Sequence, residues 1–378
     1  MPFPKLPPRA AYIKLSNPTK RNALSIPVLR DLKSQLDSAL TLRPSGRAGL
    51  LPRFLPGPLK ELEKASKERD RTSEEWRRWD WLVSASEWKK QRAGLPDVLV
   101  LRSEGPVFSS GHDLKELSQM SREDVKTLFE LCAQVMMTIR RSPVPIVCSI
   151  QGLATAAGFQ LAMSTDFPIS LPDTQFALPG AKIGLPCTSP STAISRRFPP
   201  GATYRMLATA EPIKASDYPE AVDVVKAAPG QDPEEAMEKR VVDVVERLLS
   251  MSPSQQAVGK WAYWTQFGFG RTWGDGYEQA AQWAARVMAL HARSEDAKEG
   301  VAAFLEKREP VWVSSGEHEA EETAVDVGGP AAEGADTVTE DAASSTEADG
   351  NVTGDGESIS ESQTPETDVD SPTTTDRS

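Results

Sequence analysis

The sequence predicts an α/β layered domain with an acidic tail appended to it, and three observations carry that reading. Short apolar runs of strand type alternate with segments of three- and four-residue apolar spacing, in the order strand, helix, strand, helix. With 39% apolar residues over 378 positions, the chain can bury a full core. The composition then changes abruptly near Ser314, beyond which no aromatic residue follows Trp312.

The elements follow in order along the chain. Ala11-Tyr-Ile-Lys-Leu15 reads as a strand, Asn17-Pro-Thr-Lys-Arg-Asn22 as a turn, and a helix runs from Ser25, whose hydroxyl suits an N-cap, to about Leu40. Residues 42–94 open with a Pro/Gly/Arg stretch. They continue into Leu59 to Arg92, which holds ten Lys/Arg, eight Asp/Glu and four of the nine tryptophans. Trp76, Trp79 and Val83 fall at helical steps, so this segment reads as a helical, Trp-rich insertion with one apolar stripe, packed on the domain or forming its rim. Its near balance of charge argues against nucleic acid. Asp97 to Arg102 is a strand. The helix after it shows Val125, Leu128, Phe129, Cys132, Val135, Met136 and Ile139 on one face and stops at Pro143 and Pro145. Pro145 to Ile150 is a buried-type strand, a Gly/Ala-rich helix follows, and Phe167 to Leu171 is another strand. From Gly201 the chain is mainly helical, over Tyr204 to Ala210, Pro233 to Ser250, Gly276 to Ala292 and Glu299 to Arg308.

Charge divides the chain in two. From Glu317 onward there are eighteen acidic residues and one basic residue, Arg377; residues 1–316 carry 42 basic against 36 acidic, a net of +6. A mildly basic body suits a phosphate-bearing ligand. The tail, residues 316–378, cannot bury enough surface to offset the entropy of ordering and is expected to be disordered and solvating, leaving residues 1–315 as the folded domain. Cys132, Cys148 and Cys187 lack metal-ligand spacing and read as free thiols in a reducing compartment. No apolar run reaches the roughly 20 residues of a membrane span, and the first residues show neither a signal-peptide core nor an Arg/Ser-rich presequence.

Two segments carry the chemistry: Phe108-Ser-Ser-Gly-His-Asp-Leu-Lys-Glu-Leu117 and Gln151-Gly-Leu-Ala-Thr-Ala-Ala-Gly-Phe-Gln-Leu-Ala-Met-Ser-Thr-Asp166. In the first, Gly111 permits a backbone conformation other residues resist, which can turn the His112 amide outward. In the second, Ala154 to Gly158 opens a helix, where amides are unpaired and aligned with the dipole and small side chains allow close approach. Two such amides aimed at one point form an oxyanion hole.

These segments resemble the FxxGxDLKE-like and NGxAxGGGxELAxxxD-like motifs of the crotonase (enoyl-CoA hydratase/isomerase) superfamily. Asn17-Pro-Thr-Lys-Arg-Asn-Ala-Leu24 is similar to the family's first CoA-binding loop, Phe176 to Leu185 to its second catalytic loop, and Glu299 to Arg308 to its C-terminal helix. Outside 42–94 the likeness runs from about 11 to 312. It implies a ClpP-like spiral of ββα units with a helical C-terminal trimerisation region, a homotrimer or hexamer, and an acyl-CoA as partner in fatty acid metabolism. It further implies no metal and no cofactor beyond coenzyme A as part of the substrate, with the mitochondrion as location and the cytoplasm as alternative. Carried over residue by residue, His112 and Ala157 donate the oxyanion-hole amides, and Asp113, Leu114, Lys115 and Gly158 line the substrate. Lys20 and Ala23 lie near the CoA nucleotide, and Phe304 and Lys307 reach CoA on a neighbouring subunit.

The chain departs from the family pattern where it matters most. Hydratases carry one working glutamate at the position of Gln160 and another at that of Gly180. An amide can hydrogen-bond a water but cannot accept and return a proton at neutral pH, and glycine can do neither. Each such group is worth about 100- to 10,000-fold. Two readings stay open: an enzyme that moves protons with another residue, His112 being the best-placed titratable side chain unless its ring turns away, or a non-catalytic acyl-CoA-binding or regulatory subunit. Asp113 and Asp166 read as a turn cap and a structural carboxylate, and Cys187 as packing.

Overall fold

The computed structural model describes residues 3–68, 71–183, 185, 187–269 and 295–315. The chain divides into two units, Met1–Glu321 and Glu322–Ser378. The acidic tail from residue 316 and the helix expected over Gly276 to Ala292 lie outside the described residues.

The strands are β1 (Ala10–Leu15), β2 (Val98–Ser103), β3 (Ile146–Ile150), β4 (Leu153–Thr155), β5 (Phe167–Ser170), β6 (Gln175–Ala177), β7 (Ile213–Lys214) and β8 (Asp223–Val224). The helices are α1 (Ile26–Leu40), α2 (Pro58–Lys67), α3 (Glu74–Val83), α4 (Ala85–Gln91), α5 (Leu114–Gln119), α6 (Arg122–Arg140), α7 (Ala156–Ser164), α8 (Thr188–Ile194), α9 (Pro200–Thr209), α10 (Pro233–Leu249), α11 (Pro253–Gln266) and α12 (Glu295–Glu306). One sheet has the order β1-β2-β3-β5-β8, with every neighbouring pair parallel. The second has β4 parallel to β6 and β6 antiparallel to β7, and Ser109 bridges Ala154 on the free side of β4. The chain therefore visits the first sheet, the second sheet and then helix, as β2–Ser109–α5, β3–β4–α7 and β5–β6–α8. This is the strand-strand-helix spiral that the sequence resemblance implies.

Alternation in β2 shows why the first sheet is covered on both faces. Leu99 and Leu101 enter the main core, while Val98 and Val100, with Val147 and Ile169, pack against Met237, Val241 and Val245 of α10. Each such buried aliphatic side chain contributes about 1.5–3 kcal/mol. On α1, Leu29, Leu32, Leu36 and Leu40 are buried at three- and four-residue steps. Ser25 stands at its N-cap without a side-chain capping bond. On α6, Leu128, Cys132, Val135, Met136 and Ile139 are buried, whereas Phe129 sits at the edge of that face, 36% exposed, with its ring against His112.

The insertion is more deeply integrated than one stripe predicts. Trp79, Trp81, Leu82 and Trp88 join Leu59, Leu62 and Ala65 in the main core, while Trp76 and Val83 are half-buried. Helix α3 is flanked by α2 and by α4, so it buries a broad face rather than a seam. Trp81 and Trp88 stack at 5.7 Å, Gln91 Nε2 donates to buried Asp80 at 2.6 Å, and Trp79 Nε1 donates to Glu61 at 2.8 Å. At the other end, Ser254 Oγ donates to fully buried Asp296 at 3.1 Å, tying α12 to the start of α11, and Trp312 Nε1 donates to the Ser250 carbonyl at the end of α10 at 2.8 Å. The three cysteines are free and buried.

Candidate functional site

Three loops meet at the N-terminal end of α7. Backbone bonds join the first to the second: Ser110 N to Arg21 O at 3.0 Å and Leu24 N to Gly111 O at 2.8 Å. The second is joined to β4, which leads into α7, by Ser109 N to Leu153 O at 3.2 Å and Thr155 N to Ser109 O at 3.0 Å. Asn22, fully buried at φ 52°, is the latch: its side chain donates to the Glu104 and Val107 carbonyls at 2.7 and 2.8 Å and accepts from Asn17 N at 2.8 Å. Ser109 Oγ donates to the Asn22 carbonyl at 2.8 Å. In sequence, an asparagine in a turn signals only local bonding, so this long-range role of Asn22 is not legible there.

Gly111 has φ 82°, and a Cβ there would stand 3.0 Å from both Ala156 Cβ and the Thr155 carbonyl and 3.4 Å from the Ala157 amide nitrogen. The His112 peptide thus lies against the first turn of α7, where Ala156 itself holds a left-handed φ of 48°. Neither the His112 nor the Ala157 amide has a hydrogen-bond partner among the described residues. Gly158 is required by packing: a Cβ would fall 2.5 Å from Ser109 Cβ, so the space beside it is already occupied by protein.

The His112 ring is turned back into the protein. Its Nδ1 lies 2.8 Å from the Leu24 carbonyl and its edge meets Phe129 at 5.2 Å. A carbonyl only accepts, so in the neutral ring Nδ1 carries the proton and Nε2 keeps the lone pair. Burial holds the imidazole below its ordinary pKa, the Leu24 bond and Glu116 opposing it. Asp113 caps α5, accepting from Lys115 N and Glu116 N at 3.0 and 3.1 Å, and pairs with Lys20 at 3.2 Å. Those bonds, the Glu116 amide first, keep its carboxyl below the usual range. Leu114 is 52% exposed, Lys115 is exposed and Ala23 is buried behind the same loop.

Gln160 is 4% exposed, one turn beyond Ala157, and its side-chain amide exchanges long hydrogen bonds of 3.3–3.4 Å with the Ser189 hydroxyl. Gly180 sits in a tight helical turn, Pro179–Ile183. A Cβ there would fall 1.9 Å from the Leu185 carbonyl oxygen and 2.8 Å from Cys187 Sγ, so the direction a side chain would take is filled by backbone. Cys187 is buried, which raises its thiol pKa, the Gly180 bond opposing. Asp166 is structural, accepting from Ile146 N at 2.9 Å and pairing with Lys260 at 2.8 Å. Lys307 is exposed at φ 55° just past α12. Phe304 lies on α12, but its side chain is outside the described residues.

Residues 95–315 match the family model described as Enoyl-CoA hydratase/isomerase. The rat protein named "Enoyl-CoA hydratase domain-containing protein 3, mitochondrial" is 38% identical over 216 residues, covering 57% of this chain and 69% of the relative. The crystal structure of human enoyl-CoA hydratase domain-containing protein 3 superimposes with a TM-score of 0.58 at 30% identity, covering 80% of this chain and 95% of that one. An enoyl-CoA hydratase from Mycobacterium smegmatis gives a TM-score of 0.59 at 28% identity, over 82% and 97%. The matched residues begin just after the insertion and include both the His112 loop and α7, so the chain belongs to the enoyl-CoA hydratase/isomerase family.

Proposed function

We propose that this protein binds an acyl-CoA thioester with its carbonyl oxygen between the His112 and Ala157 amides, and that it hydrates enoyl thioesters far more slowly than a two-glutamate family member. The observation that carries this reading is the pair of unpartnered amides beside Gly111, set against a Gly180 whose outward direction is closed by Leu185. Two fixed donors stabilise negative charge on the thioester oxygen, and losing one typically costs about 3 kcal/mol. The family resemblance assigns Lys20 and Ala23, on the loop bonded to the His112 segment, to the CoA nucleotide, and exposed Leu114 and Lys115 to the substrate. The Gln160–Ser189 pair can hold a water but cannot take and return its proton at neutral pH. Coenzyme A enters only as part of the substrate, and this chemistry asks for no metal.

An enzyme of hydro-lyase or isomerase type is the second reading. It would have to move protons with a group other than His112, whose ring is turned back onto the Leu24 carbonyl and Phe129. The relatives' names favour a mitochondrial setting over a cytoplasmic one, and the family resemblance favours a homotrimer or hexamer working on fatty acyl groups. Among the described residues no helix is long and apolar enough to cross a membrane.

Calorimetry with a panel of short and long acyl-CoAs, followed by a hydration assay on crotonyl-CoA, tests the proposal. Binding with turnover at least 100-fold below an ordinary hydratase is the expected result. Full turnover would sink the reading of Gln160 and Gly180, and failure of every acyl-CoA to bind would sink the thioester site itself.

A further inference from the structure

A cavity of about 580 Å³ opens at the end of α7 opposite the His112 and Ala157 amides. That volume falls in the roughly 300–1,000 Å³ range of small-molecule sites. Helix α7 spans about 13 Å, so this cavity and the His112–Ala157 amides are separated by the length of the helix and share no residue. Its wall carries Arg196, Arg197, Lys260, Asp166, Tyr263 and Trp264.

The charges here do not balance. Arg197 is fixed by bonds to backbone carbonyls at the end of α7, Met163 O at 2.9 Å and Asp166 O at 3.0 Å, which orient its guanidinium without cancelling a full charge. Asp166 is already committed to Lys260 and to the Ile146 amide. Arg196 donates to the Thr192 carbonyl and has no carboxylate partner among the described residues. Behind the wall, Arg140 stacks on Trp264 with its guanidinium 4.0 Å from the ring centroid, and it too lacks a carboxylate partner among the described residues. Burial, and then the charges of Arg196 and Arg197, bring Arg140 down to about 10. Glu220 is the second carboxylate lining the cavity and is in no ion pair among the described residues. Three cations, Arg196, Arg197 and Lys260, thus line a partly enclosed space with two carboxylates, and a fourth, Arg140, stands behind its wall. Holding the end of α7 accounts for Arg197 and Lys260, and stacking on Trp264 and Phe54 for Arg140, but neither accounts for Arg196, which is exposed at the cavity wall.

We infer that this cavity is an anion site, separate from the thioester end of α7, for a small organic molecule bearing two or more phosphate or carboxylate charges. Guanidinium groups bind both kinds of oxyanion through paired N–H donors, and Tyr263 and Trp264 offer a wall for the rest of the molecule. The inference does not depend on acyl-CoA binding, because different residues carry it.

Calorimetry on the full chain at constant ionic strength, with inorganic pyrophosphate and with citrate as probes, separates phosphate from carboxylate preference. Saturable binding of one of them at one site per chain is expected, with Arg196→Gln and Arg140→Gln each weakening it about tenfold or more. Arg205→Gln, whose side chain pairs with Glu211 outside the cavity, leaves it unchanged. The inference is overturned if neither probe binds up to about 10 mM, where a millimolar site would be visible, or if both arginine variants bind like the parent while circular dichroism shows them folded. A change in self-association of Arg196→Gln without any change in anion binding would also overturn it, and would give this face to a second copy of the chain.

Discussion

Restoring the missing carboxylate at residue 180 is the perturbation most directly set by the geometry. In Gly180→Glu the first side-chain carbon alone would lie 1.9 Å from the Leu185 carbonyl oxygen and 2.8 Å from Cys187 Sγ. Real Cβ contacts of 1.9 Å do not occur, so the backbone around Leu185 must move before any side chain can be placed at residue 180. Forcing extra atoms into a packed site costs about 1–3 kcal/mol, and a carboxylate set against a carbonyl oxygen adds about 1–3 kcal/mol. We expect about 3 kcal/mol of destabilisation. At about 2.1 cal/mol/K per residue over a body of about 300 residues, that lowers Tm by about 5 °C. Scanning calorimetry reads the loss, and Gly180→Ala, which meets the same oxygen, should show much of it. The Gln160→Glu/Gly180→Glu double variant should still hydrate crotonyl-CoA poorly, because the loop rather than the residue type closes the position. Parental Tm together with ordinary hydratase rates in the double variant would refute the reasoning.

Gly111→Ala places a Cβ at φ 82° and 3.0 Å from Ala156 Cβ, so a loss of about 1–2 kcal/mol in urea unfolding is expected, together with weaker acyl-CoA binding in calorimetry. The folded pKa of His112 is depressed, so the folded state binds fewer protons than the unfolded one. Its contribution is complete above the unfolded value near 6.5 and is lost as pH falls below it; NMR titration should find His112 neutral at pH 7, and a titration above 6.5 would contradict the burial argument. Trp88→Ala removes a fully buried ring stacked on Trp81 and should cost about 3–5 kcal/mol by denaturant titration, whereas a loss below 1 kcal/mol would show that the insertion is dispensable to the core.

Much of the fold was legible because period and punctuation are local. The strands near Ala11, Asp97, Pro145 and Phe167 and the helix ending before Pro143 stand within a few residues of where the apolar pattern puts them. Phe129 shows where that pattern misleads, since a residue at the margin of an apolar stripe can serve a neighbouring loop instead of the core. Trp81 shows the converse: it lies off the predicted stripe yet is 2% exposed, because α2 and α4 pack on both sides of α3.

The same division runs through the candidate site. Residue identity alone determined that no carboxylate stands at Gln160 or Gly180, that small residues open α7 and that a glycine precedes His112, since these are statements about which atoms are present. Tertiary structure decided what those atoms face. It turned the His112 ring onto the Leu24 carbonyl, left the His112 and Ala157 amides without a partner among the described residues, and filled the space beside Gly180 with Leu185. The cation-rich cavity at the far end of α7 was equally invisible in sequence, because the Arg196-Arg197 pair, Lys260 of α11 and Arg140 behind the wall come from three separate segments. Periodicity and spacing act over a few residues, whereas the direction of an amide or the sum of charges in a cavity depends on which distant segments fold against it.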